Sequence, residues 1–134
     1  MTFVEAVKDL AQNIGMQVRL QGTGPWEELW DELLAKGLEL NLQAICLDVN
    51  MPVAHEAFHA RWKRLGGGLD TDKCWKTELP VILRGMVVGR LSLQGDPQDE
   101  TVWRVLAQMQ PLLSRFEQMI QAHQPVKSPV HQLA

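Results

Sequence analysis

The sequence predicts an α/β domain of the α+β type, in which an antiparallel sheet of three to four strands has helices packed on it. Three observations predict this class: helix-like and strand-like segments alternate along the chain, residues 75–93 read as a β-hairpin, and a long amphipathic helix follows. A chain of 134 residues with 46% hydrophobic content can bury one sizeable core. We therefore expect a single domain over residues 1–124. The tail 125–134 has no apolar period and is predicted to be disordered.

The first half of the chain predicts two helices and two strands. Capping-box spacing between Thr2 and Glu5 opens the first helix, and its apolar stripe is Phe3, Val7, Leu10 and Ile14. Residues 16–20 alternate as a strand does. Pro25 suits the first turn of a second helix, which Gly37 is expected to end, and the apolar run 42–49 predicts a central strand.

The middle of the chain contains a literal H-E-x-x-H, at His55, Glu56 and His59. We expect a third helix to begin near Pro52 and to end at the glycine run 66–68. On a helix, His55 and His59 share a face and can bind zinc, and Glu56 can then act as the general base of a hydrolase. The alternative is that the three residues form a polar helix face and that the chain has no cofactor.

A basic concentration follows at Arg61, Lys63 and Arg64. Cations are favourable at helix C-termini, which would account for these residues without any ligand. The functional alternative is an anion-binding patch. Such a patch would contact phosphate groups, or a membrane surface if the domain is tethered to a membrane enzyme.

The hairpin is predicted in detail. A three-residue loop over 83–85, with Gly85 in the left-handed conformation, sets Val81 opposite Val87. The same register sets Glu78 opposite Arg90 as a favourable cross-strand pair. Because Pro80 cannot donate a ladder hydrogen bond, its strand should be an edge strand or have that position facing away.

The last helix is predicted from Glu100 to about Ala122, with Asp99 as its cap and Pro111 bending or dividing it. Its apolar residues have heptad spacing, which is typical either of packing on the sheet or of pairing between helices. If the helices pair across a dimer, the interface consists of Val102, Leu106, Met109, Leu113, Phe116 and Ile120.

Charge and composition exclude some classes of protein. The formal charge of −3 and the pI near 5.8 lack the basic footprint typical of nucleic-acid binding. Cys46 and Cys74 have neither metal nor redox spacing and are expected to be reduced thiols. The chain has no apolar run of bilayer length and no signal sequence at its start, so we expect a soluble cytoplasmic protein.

Two family resemblances follow from these residues. The segment 78–93, with the cadence of Leu79, Pro80, Gly85, Gly89 and Leu91 before an acidic turn and a long helix, resembles the closing hairpin and C-terminal helix of GAF domains. The resemblance implies a GAF-like fold. The segment 47–52 and the following residues are more weakly similar to soluble C-terminal extensions of bacterial polyprenyl-phosphate N-acetylhexosamine-1-phosphate transferases. That resemblance implies that this chain is an accessory domain of a larger enzyme.

The sequence therefore predicts a non-catalytic regulatory or protein-interaction module. Its expected partners are a second copy of the chain or the other domains of a parent enzyme. Two alternatives stay open, a small zinc-dependent hydrolase and a sensor of a small ligand.

Overall fold

The computed structural model describes residues 10, 15–20, 24–51, 56–65 and 71–123. Its elements are β1 (Gly15–Leu20), α1 (Gly24–Glu39), β2 (Ala44–Met51), β3 (Glu56–Arg64), a 3₁₀ turn (Thr71–Lys73), β4 (Trp75–Leu83), β5 (Met86–Gly95) and α2 (Val102–His123). The predicted first helix, His55, the glycine run 66–68 and the tail 125–134 lie outside the described residues, apart from Leu10. Among the described helices, none is long and apolar enough to cross a bilayer.

The five strands form one antiparallel sheet in the order β1-β3-β2-β5-β4. The predicted fold class is confirmed, and the sheet has one strand more than the predicted maximum. The apolar run after residue 42 supplies β2, which is central as expected. Its side chains alternate between buried and half-buried, so only one face of this strand is in the core.

Both helices pack on the face of the sheet that holds this core. The core combines alternate residues of β2 to β5 with the apolar stripes of α1 and α2. Its largest fully buried side chains are Trp26, Trp30, Trp62, Phe58, Leu29, Leu33, Leu34, Leu42, Ile45, Leu47, Leu91 and Leu93. Across the two helices the rings of Trp26 and Phe116 lie 5.6 Å apart between centroids, in a tilted arrangement.

The predicted third helix is wrong, because residues 56–64 form strand β3. This strand pairs with β2 on one side and with β1 on the other. Phe58, Ala60 and Trp62 are buried and alternate with His59 and with residues 61 and 63. That period of two is the signature of a half-buried strand, and it outweighs the helical spacing of the H-E-x-x-H motif.

Helix α1 ends two residues later than predicted. Asn41 takes a left-handed φ of 57°, and the amide of Leu42 donates to the carbonyl of Gly37 at 2.9 Å, as in a Schellman motif. Gly37 itself is helical, and a Cβ at this position would collide with the side chain of Ile45. This glycine therefore permits close packing of α1 on β2 and does not end the helix.

The hairpin register differs from the prediction by two residues over most of its length. Leu79 faces Leu91 and Val81 faces Gly89, but Ile82 faces Val87, so Val88 of β5 is the extra residue of a bulge. The loop has two residues, because Arg84 (φ 52°) and Gly85 (φ 77°) are both left-handed. Up to the bulge, a shift of two keeps each side chain on its predicted face, since the side-chain period of a strand is also two. Beyond the bulge the shift is one, so Val87 is exposed on the face opposite to Val81 and its predicted pairing with Val81 is wrong.

Strand β4 is an edge strand, as Pro80 predicts. On its outer side, the amide of Ile82 donates to a carboxylate oxygen of Glu117 at 2.5 Å, and the amide of Arg84 donates to Gln121 at 3.3 Å. The strand period gives position 80 the same outward direction, so this proline removes no ladder bond. Side chains of α2 thus accept hydrogen bonds from two of the backbone amides on the exposed edge.

Helix α2 confirms the predicted long helix and runs continuously through Pro111. Its cap is Thr101, whose hydroxyl accepts a hydrogen bond from the amide of Arg104 at 3.3 Å. Asp99, the predicted cap, instead accepts a hydrogen bond from the side-chain amide of Asn41 at 2.9 Å. The cap prediction was therefore wrong by two residues.

Candidate functional site

The sheet face opposite the helices is the candidate functional surface, which we call the open face. No described helix packs on it, and its side chains are exposed or half-buried. The strand periods and ladder registers place on it Ala44, Cys46, Asp48, His59, Arg61, Lys63, Lys76, Glu78, Pro80, Ile82, Val87, Arg90, Ser92 and Gln94. Nearly every charged side chain of β2 to β5 therefore shares this one surface.

Two rows of side chains cross the middle of the open face. In the first, Cys46 lies between Arg61 on β3 and Ser92 on β5, and Ser92 faces Glu78 on β4. In the second, Asp48 lies between His59 on β3 and Arg90 on β5. Directly opposed residues have Cβ atoms about 5 Å apart, so each row is a set of interacting neighbours.

Two ion pairs fix charges within these rows. Nδ1 of His59 lies 2.5 Å from Oδ1 of Asp48. A guanidinium nitrogen of Arg90 lies 3.7 Å from Oε2 of Glu78, so the predicted pair is confirmed as a contact but is diagonal because of the register shift. Both pairs are largely exposed, and pairs of this kind contribute little stability. Their main effect is to place charge on the surface.

The Cys46 thiol lies at the centre of the open face. Burial raises its pKa above the ordinary value, and the nearby carboxylate of Asp48 adds to the increase. The positive charges of Arg61 and Arg90 lower the pKa of this thiol, but by less than burial and Asp48 raise it. Cys46 is a free thiol in its neutral form at neutral pH, as the sequence predicts for a reduced cysteine.

The predicted basic patch does not form a single cluster, because the strand period separates its members. Arg61 and Lys63 are exposed on the open face. Arg64 lies on the helix side, where its Nε donates to the carbonyl of Leu42 at 3.2 Å and its guanidinium carbon lies 5.3 Å from the ring centroid of Trp62. Arg64 is therefore a packing residue, and the patch is reduced to Arg61 and Lys63.

The end of the open face nearest the hairpin loop is apolar. Ile82 and Val87 form a cross-strand pair there and are 39% and 67% exposed. Next to this pair a shallow cavity of about 410 Å³ is lined by Glu78, Leu79, Pro80, Val87, Gly89 and Arg90. A Cβ at Gly89 would collide with the backbone of β2, so this glycine allows the two strands to approach.

A second cavity, of about 360 Å³, lies between the hairpin and α2. It is lined by polar side chains of α2, among them Gln110, Ser114 and Gln118, and by Leu79 and Ile82. Because Glu117 and Gln121 already bond the strand edge here, this cavity belongs to the contact between helix and hairpin.

The predicted zinc motif does not have its helical setting. Glu56 and His59 belong to strand β3, and His55 lies outside the described residues. Two residues four apart lie close together on a helix but about 13 Å apart on a strand. His59 contacts Asp48, and the described residues include no group of three or more metal-ligating side chains.

The predicted helix seam lies mostly inside the chain. Met109, Leu113, Phe116 and Ile120 are at most 4% exposed because they pack in the core, and Val102 and Leu106 are half-buried. The four buried residues therefore pack on the sheet, which is the first of the two predicted alternatives, and the dimer interface stays a prediction. The exposed apolar residue of the first turn of α2 is Trp103, at 78%.

Comparisons with known proteins give one solved structure to report. No family model matches the chain, and no curated protein matches it. The chain is similar to the GAF domain from Acinetobacter phosphoenolpyruvate-protein phosphotransferase, with 12% identity and a TM-score of 0.46, over 95% of this chain and 100% of that one. A likeness at this level does not by itself define a ligand or a site.

Sequence reasoning missed the open face as a site. Its residues come from four strands, and each strand contributes only every second position, so no local motif contains them. The detectable signal was the alternation of Phe58, Ala60 and Trp62 with polar residues, which would have assigned β3 correctly.

Proposed function

We propose that this chain is a non-catalytic regulatory or protein-interaction module of GAF-like architecture, which recognises its partner through the open face. The observation that carries the proposal is the segregation of the sheet into two faces. One is a continuous apolar core under both helices, and the other presents charged side chains from four strands. An antiparallel sheet commonly leaves one face to solvent, but a rigid face with fixed charges is also a ready recognition surface.

A small-ligand sensor is the second candidate, and the cavity beside Pro80 and Val87 favours it. Its volume of about 410 Å³ falls within the range of ligand pockets, and it combines apolar walls with the charged ends of Glu78 and Arg90. The adjacent bulge supports this candidate, because bulges redirect side chains next to binding sites.

We also propose that the module acts as a dimer or as an accessory domain of a larger enzyme, inside a reducing compartment such as the cytoplasm. Neither Cys46 nor Cys74 forms a disulfide with another described residue, which suits that compartment. A dimer would have to use exposed side chains such as Trp103, since most of the helix seam is in the core. Light scattering of the wild type and of Trp103→Glu tests this proposal, and a monomeric wild type rejects the dimer.

Amide chemical-shift mapping tests the open face. The ¹⁵N-labelled protein is titrated with a panel of charged small molecules, and each mixture is also checked for chemical conversion. We expect perturbed amides to cluster around Asp48, Arg90 and Ser92. Perturbations confined to α1 and α2 would reject the proposed surface. Conversion of any compound that scales with protein concentration would reject a non-catalytic role.

A further inference from the structure

The open face has a charge opposite to that of the whole chain. It carries four basic side chains, Arg61, Lys63, Lys76 and Arg90, against the two carboxylates of Asp48 and Glu78. The complete chain has a formal charge of −3. The helical layer carries the acidic residues instead, since α1 alone contains Glu27, Glu28, Asp31, Glu32 and Glu39. The molecule is thus polarised across the sheet.

The unpaired cations are spread widely over the face. Arg61 and Lys63 make no ion pair within the part of the chain that the structure describes, and the same holds for Lys76. Arg61 and Lys63 are on β3, and Lys76 is on β4, three strand spacings away in the sheet order. At about 4.8 Å per spacing, these backbones are about 14 Å apart.

Exposed apolar side chains occupy the loop end of the same face. Val87 is 67% exposed and Ile82 is 39% exposed, and the two side chains form a cross-strand pair. Charged side chains at one end and apolar side chains at the other form an amphipathic surface on a single rigid sheet. Such surfaces bind where water meets an apolar phase.

From these features we propose that the open face docks on an anionic lipid bilayer. Arg61, Lys63 and Lys76 contact the lipid headgroups, and Ile82 and Val87 enter the boundary between headgroups and acyl chains. The inference rests on the proposed function, because it names the partner of the open face. The distance between β3 and β4 favours a surface over a small anion, because cations spread over this distance match several headgroups better than a single phosphate group.

Cosedimentation with lipid vesicles tests the proposal. The full chain is mixed with vesicles of phosphatidylcholine and phosphatidylglycerol, and separately with vesicles of phosphatidylcholine alone. We expect binding to the anionic vesicles only, with affinity falling as salt is added. Each basic residue near an anionic surface contributes about fivefold in affinity, so Arg61→Gln with Lys63→Gln should weaken binding about thirtyfold.

Two further double variants locate the contact. Arg104→Gln with Arg115→Gln removes the same charge from exposed positions of α2 and should leave binding unchanged. Ile82→Thr with Val87→Thr removes apolar surface but keeps β-branched side chains, and it should weaken binding about tenfold. Circular dichroism is used to check that each variant folds. We expect that it does, because all six residues are exposed.

Three outcomes would overturn the proposal. They are absence of wild-type binding to anionic vesicles, equal losses in the β3 and α2 charge variants, and complete competition by inorganic phosphate at constant ionic strength. The last result would assign a small-anion site instead. If the protein does not bind anionic vesicles but small molecules still shift the amide resonances of the open face, only the bilayer inference is rejected. If small molecules do not shift these resonances either, the proposed function is rejected as well.

Discussion

Replacement of Leu113 by alanine tests whether the seam of α2 is an intrachain core. The Leu113 side chain is 3% exposed and belongs to the cluster that joins α2 to the sheet. Truncation of a buried leucine removes its transfer free energy and leaves a cavity, which together cost about 2.7–5 kcal/mol. For a chain of this length, a loss of about 3 kcal/mol lowers the melting temperature by about 10 °C.

The assay is urea denaturation of the wild type and of Leu113→Ala, each at a low and a high protein concentration. Because Leu113 packs within one chain, the loss of unfolding free energy should be the same at both concentrations. Trp103→Ala is the matched control, since its 78% exposed side chain should change stability by less than about 0.5 kcal/mol. A loss below about 1 kcal/mol for Leu113→Ala, or a loss that differs between the two protein concentrations, would refute the reasoning.

Further predictions concern the edge, the bulge and the thiol. Gly89→Ala should reduce thermal stability by calorimetry, because its Cβ meets the Asp48 carbonyl; an unchanged melting temperature contradicts this. Glu117→Ala should lower stability by about 1–2 kcal/mol in urea, because the Ile82 amide loses its charged acceptor, whereas Glu117→Gln should recover part of it. Iodoacetamide should modify Cys46 slowly at neutral pH, in a variant with the other cysteine replaced by serine. Asp48→Asn should speed the reaction, because it lowers the raised pKa; an equal rate excludes that cause.

The raised pKa of Cys46 also determines how the free energy of unfolding changes with pH. The unfolded thiol deprotonates at lower pH than the folded thiol, so the contribution of Cys46 to stability is complete below the unfolded pKa, which is about 8.5. It is lost as the pH rises through the folded value. Urea denaturation at neutral and alkaline pH should therefore show a larger alkaline loss for the wild type than for Cys46→Ser.

Local patterns were sufficient where the determining contacts lie close together in the sequence. The positive φ of Gly85, the edge position of Pro80 and the extent of α2 all follow from adjacent residues, and the structure confirms each. The predicted faces of the hairpin were also correct up to the bulge, because alternation fixes the face of a strand without reference to register, but Val87 beyond the bulge lies on the opposite face.

Local patterns gave wrong predictions where the structure of a segment depends on contacts with residues that are distant in the sequence. The helix forecast for residues 56–64 relied on the spacing of His55 and His59, but this segment pairs with β1 and β2, and neither strand is encoded in the motif. The hairpin register shifted by one residue because Arg84 adopts a left-handed φ that arginine rarely takes, and by one more at the bulge of β5.

The sequence by itself determined the fold class, the amphipathic face of α2 and the position of the hairpin, because hydrophobic period and turn chemistry are local properties. Only the tertiary structure decided that Arg61, Lys63 and Lys76 share a surface, that Arg64 belongs to the core side, and that most of the α2 seam is buried within the chain. These outcomes depend on which strands pair and in what order. Pairing is set by the burial of the whole apolar core, and no single segment contains that information.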